Sequence, residues 1–103
     1  MPRYTRKDEA RDLWFRAEDL LKVAKDIGDD EAIELANCAA GRAATAESEY
    51  SAGADYDKTS GGGSSEAWTA RRAGRKALAE AWDSFHRATA RLDHLRGLSA
   101  VED

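Results

Sequence analysis

One cysteine, one proline, two histidines and no long apolar run among 103 residues narrow the possibilities before any pattern is read. A lone Cys38 forbids an intrachain disulfide and fits a reducing compartment. The stretch after Met1-Pro2-Arg3-Tyr4-Thr5-Arg6-Lys7 holds no apolar segment of about 7 to 15 residues, so neither a signal peptide nor a membrane span is expected, and the expected location is cytoplasmic. Positive charge is also in short supply. A net charge of -4 and a pI near 5.2 oppose non-specific association with nucleic acid or anionic membranes. Aromatic residues make up 8% of the chain and alanine supplies much of its 42% hydrophobic share. The core should therefore be thin, held by close helix contacts within one domain spanning residues 1–103.

What is present is helical periodicity. Thr5 followed by Asp8 resembles a capping box, and Ala10, Leu13, Trp14, Ala17, Leu20, Leu21, Ala24 and Ile27 then recur at steps of three and four, predicting a helix over 6–27. Gly28 suits a left-handed terminating residue and Asp29 can cap the next helix at once, which forces an antiparallel hairpin. A second helix over 30–57 carries the small stripe Ala32, Leu35, Ala36, Ala39, Ala43, Ala46 and Tyr50. A third, over 65–96, alternates steps of four and three from Ala67 through Leu78, Ala81, Phe85 and Leu92 to Leu95, with Trp68, Arg75, Trp82 and Thr89 flanking it at steps of seven. Gly97 is expected to end it, with a frayed tail beyond, and residues 58–65 form a flexible Gly/Ser tether. The fold expected is all-α, an up-down-up three-helix bundle.

Charge supports that arrangement. Asp29 to Asp57 holds eight acids against one base, Arg42, whereas Glu66 to Arg96 holds seven bases against four acids. Neighbouring antiparallel helices of opposite sign neutralise one another. Glu47 falls on the edge of the apolar stripe, where an acid needs a partner, and counting outward from the glycines places it opposite Arg71 and Arg75. The first helix is shorter than the others, so the end near the glycines is uncovered; Tyr50, Tyr56 and Trp68 are expected to gather there, with Tyr4 approaching. Phe15 points away from its own helix's apolar stripe, between charged neighbours.

Few residues suggest chemistry. Asp83 and His86 have the i, i+3 spacing of helical metal ligands, but further inward acids are scarce, so no metal and no cofactor is expected. Gly61-Gly62-Gly63 lacks the Lys-Ser/Thr ending and preceding strand of a phosphate loop. Cys38 lies on the polar side of the second helix with no histidine marking it as a nucleophile, so it reads as an ordinary thiol. Arg87 and His94, with six residues between them, resemble the Arg–His motif of helical HEPN-type ribonucleases; the resemblance implies RNA cleavage involving those two residues.

No catalytic residues are assigned. The function expected is that of a small non-enzymatic protein–protein interaction module: an adaptor, assembly factor, or regulator or inhibitor such as phages and plasmids encode. Its contact residues would be Phe15, Tyr4, Tyr50, Tyr56 and Trp68, with the acidic residues Glu31, Glu34 and Glu49 attracting a basic partner. The overhanging end would equally suit a homodimer. The alternative is nucleic-acid binding by Arg72, Lys76, Arg87 and Arg91 on the outer face of the third helix, aided by the basic arm Arg3, Arg6 and Lys7.

Overall fold

A computed structural model describes residues 3–60 and 64–102 as three helices: α1 (Arg6–Ile27), α2 (Asp30–Ser60) and α3 (Ser65–Glu102). The chain is all-α and its helices run up, down and up. No strand occurs among the described residues.

Local sequence signals set the boundaries. The Thr5 hydroxyl accepts from the Asp8 backbone N–H while the Asp8 carboxylate accepts from the Thr5 N–H, completing a capping box at the start of α1. The Thr5 N–H, and then the Thr5 hydroxyl, donating to the Asp8 carboxylate hold its pKa below the ordinary value. Gly28 sits at φ 80°, a conformation glycine adopts without steric penalty, and its N–H returns to the Ala24 carbonyl. Asp29 follows at once and caps α2, its side chain accepting from Ala32 N–H and its carbonyl from Ile33 N–H. Ser64 does the same for α3, accepting from Ala67 N–H.

Three boundary expectations need correction. Of the tether expected over 58–65, residues 58–60 belong to α2, Ser64 caps α3 and Ser65 begins it, while residues 61–63 lie outside the described residues. Gly97 does not end α3, which continues to Glu102 in place of the expected frayed tail. It is exposed, with nothing within 4 Å of where a Cβ would sit, so it costs the helix only its low propensity, about 1 kcal/mol.

Packing is organised around α2. Both α1 and α3 lie along it, and they barely meet each other. The resulting molecule is a flattened layer, 62 × 28 × 16 Å, with a radius of gyration of 16.7 Å against about 13 Å for a compact domain of this length. Among the described residues, fourteen of the eighteen buried apolar ones are alanine, and only Leu13 and Leu92 among larger side chains are fully enclosed. Alanines of α2 such as Ala39, Ala43 and Ala46 form the floor. Leucines of α1 and α3, with half-buried Trp14, Trp82 and Phe85, pack over them.

Beyond the amino-terminal end of α1, α2 and α3 continue as a two-helix hairpin joined through small residues. Gly53 and Gly74 are buried in this seam, and a Cβ on Gly74 would stand 3.1 Å from the Tyr50 ring. Tyr50 thus packs against α3, its hydroxyl enclosed without a hydrogen-bond partner, and burial raises its pKa. Gly41, by contrast, is exposed in mid-helix with no neighbour within 4 Å. Gly41→Ala should therefore raise unfolding stability by about 0.5–1 kcal/mol, whereas Gly74→Ala should recover less than this or lose stability because the Tyr50 ring must yield. Urea denaturation of the two variants beside the parent checks the difference; equal gains would contradict the packing described for Tyr50.

Candidate partner-binding surface

Cross-helix ion pairs hold the helices in register. Asp29 receives two bonds from Arg91, Nε to Oδ2 and Nη2 to Oδ1, each 3.0 Å, while Arg91 Nε also lies 3.3 Å from Glu31. A forked guanidinium on a carboxylate is among the stronger polar contacts. This one ties the α1–α2 turn to α3. Further along, Arg42 pairs with Glu80 and Asp57 with Arg71. Opposite charge on α2 and α3 thus joins the two helices, and Arg42, the one base between Asp29 and Asp57, meets an acid of α3.

Glu47 is a correction. It accepts from Arg11 of α1 at 3.0 and 3.1 Å, not from Arg71 or Arg75. The stripe of α2 is shared between two neighbours, and Glu47 falls on the edge that turns toward α1.

The basic set considered for nucleic acid is broken up by the same pairing. Arg91 is held by Asp29 and Glu31, Arg87 lies 3.3 Å from Asp83, and Arg6 bonds to Glu9. The Arg72 guanidinium stands over the Trp68 ring at 5.4 Å. Arg3 and Lys76 are exposed and Lys7 is half-buried at the first turn of α1. Arg87 and His94 line one shallow groove with Glu31, Leu35 and Arg91. His86 stacks on Trp82 rather than turning to Asp83, and no group of three His, Cys, Asp or Glu side chains placed to hold a metal occurs among the described residues. Cys38 is exposed.

Tyr4, expected to approach the aromatic residues near the glycines, lies instead beside α1. Tyr50 belongs to the α2–α3 seam. Tyr56 lines a groove with Glu49, Glu66 and Thr69, whereas Trp68 is 57% exposed beneath Arg72. Tyr4 donates its hydroxyl to Asp12 at 2.8 Å, which raises the phenol's pKa, and sits with Phe15 beside α1.

A different grouping emerges where α1 and α3 face one another. Tyr4, Asp12, Leu13, Phe15, Arg16 and Trp82 line a groove of about 340 Å³ on the side of the layer away from α2. Across it the Trp82 indole N–H donates to Glu9 at 3.0 Å, and the Arg16 guanidinium lies 5.6 Å from the Phe85 ring and 6.0 Å from that of Trp82. Phe15 is 56% exposed at its mouth and stacks on Trp14. Trp82 and Phe85 were legible in the sequence as a flanking row and a seam position, but only the third dimension brings them opposite α1. The acidic residues expected to attract a partner lie elsewhere: Glu34 is exposed on α2, Glu49 is half-buried beside Tyr56, and Glu31 faces Arg91. Comparison with protein-family models, curated proteins and solved structures finds no match.

The Asp29 cap supplies a pH prediction. Arg91 and the Ala32 N–H lower its carboxyl pKa in the folded chain, so the stabilisation is present above the ordinary aspartate pKa and is lost as pH falls through the folded value. Asp29→Asn should reduce stability at neutral pH and flatten its decline in acid. Thermal melts between neutral and acidic pH check this; a parallel decline in parent and variant would contradict it.

Proposed function

We propose that this chain is a small protein–protein interaction module without catalytic activity, working in the cytoplasm as an adaptor, assembly factor or regulator. The observation that carries this reading is the uncovered groove between α1 and α3, with Phe15 and Tyr4 at its mouth, Trp82 in its floor and Phe85 next to it beneath the Arg16 guanidinium. Aromatic anchors at the centre of a concave apolar surface are what protein interfaces concentrate. Scaffold rigidity supports the reading too, since cross-helix ion pairs and capped ends leave the groove's walls fixed before a partner arrives.

Electrostatics favours protein over nucleic acid. Arg6, Arg87 and Arg91 are occupied by carboxylates of the same chain, and each would have to exchange that partner for a phosphate. The net charge of -4 favours a basic partner through steering. No described helix is long and apolar enough to cross a membrane.

A photo-crosslinking amino acid at position 15 should yield one discrete protein adduct in the native host, and the same group at Thr45, on the exposed side of α2, should not. Absence of an adduct at 15, equal adducts at both positions, or a nucleic-acid adduct would contradict the proposal.

A further inference from the structure

In an up-down-up-down four-helix bundle, helices adjacent in sequence pack together while the first and third lie across a diagonal. This chain has that relation among its three helices: α1 and α3 each pack on α2 and scarcely on each other. A fourth corner is left open on the α1–α3 side. Its floor continues past the aromatic groove, since Leu20, Val23 and Leu95 are only half-buried and Ile27 is 44% exposed. Arg16 now covers part of that floor, a flexible side chain held there only by the ring faces of Trp82 and Phe85.

The rim carries a directional charge signal. Asp12 borders the groove, and Asp19 and Asp26 follow at steps of seven along the same edge of α1, all three exposed. Their own cations are few. Lys22 stands 3.9 Å from Asp19 with both side chains mostly in solvent, and Asp12 holds only the Tyr4 hydroxyl. On α3, Arg75 and His86 stand beside Trp82, and Asp93 and Arg96 are exposed further along the helix.

Resting on the interaction-module reading, we propose that the α1–α3 groove receives an amphipathic helix from a different protein, its apolar stripe on Trp82 and Phe85 and a row of Lys or Arg beside Asp12, Asp19 and Asp26. A second copy of this chain fits less well. Its Arg6, Arg87 and Arg91 are engaged by its own carboxylates, and its net charge repels this acidic edge. The bound helix would complete the four-helix arrangement and bury the aromatic floor.

Two labelled peptides test this on the full chain. Both have 22 residues, the length of α1, with a Leu/Ala stripe; one carries Lys beside the stripe and the other Glu. By fluorescence anisotropy at low salt the Lys peptide should bind about tenfold more tightly than the Glu peptide. The triple variant Asp12→Lys, Asp19→Lys, Asp26→Lys should invert that preference. Ile27→Glu, an exposed change that leaves the buried core intact, should weaken both. Absence of binding, equal affinity for the two peptides, or a preference unmoved by charge reversal would overturn the proposal. Concentration-dependent dimerisation abolished by Ile27→Glu would also overturn it, identifying the occupant as a second copy. A discrete protein adduct at position 15 together with no charge preference would leave the interaction module standing and remove the basic helix.

Discussion

The alanine face of α2 is the constraint from which the rest follows. With side chains no longer than a methyl group at 36, 39, 43 and 46, α2 lets both neighbours come close but offers little area to either. The large apolar groups must come from α1 and α3. Leu13, Leu78 and Leu92 reach over the alanines, and Trp82 and Phe85 pack on the same cluster while remaining half-buried. The same feature that thins the core therefore creates the aromatic groove.

A smooth alanine seam also specifies register weakly, since a shift along it exchanges one methyl group for another. Polar contacts supply what the seam does not. Arg91 on Asp29, Arg42 on Glu80 and Asp57 on Arg71 fix α3 along α2 at three levels, and Arg11 on Glu47 fixes α1. Exposed ion pairs contribute little stability individually, about 0–1 kcal/mol, but each has only one position in which it forms. Their role here is alignment. Asp29 is the densest of these points, because one carboxylate both caps α2 and holds α3.

Local signals were legible in the sequence wherever one residue decides the outcome. The capping box of Thr5 and Asp8, the glycine at 28 and the cap at Asp29 gave α1 its limits and forced the hairpin, and the start of α3 at Ser65 agrees as well. Opposite charge on α2 and α3 anticipated their pairing. What escaped sequence reading depends on rotation between helices. Glu47 pairs with Arg11 of α1, not with α3, because a stripe read in one dimension has a single partner, whereas this one has two. Tyr50 packs its ring against Gly74 in the α2–α3 seam, and Tyr4 turns to Asp12 on its own helix. Gly97 carried a stop signal that a solvent-exposed helix can ignore. The groove itself had no signature beyond the heptad row of Trp82, because it is formed by the absence of a neighbour.

Replacement of Ala43, whose methyl group lies in the cluster joining Leu13 of α1 to Leu78 and Ala81 of α3, tests the central constraint most directly. If α2 is held close by both neighbours, Ala43→Leu has no room and should lose about 1–3 kcal/mol of unfolding free energy, while Thr45→Leu on the exposed face should change it by less than about 0.5 kcal/mol. A gain in stability for Ala43→Leu would mean that the seam has space to spare, and would contradict the account.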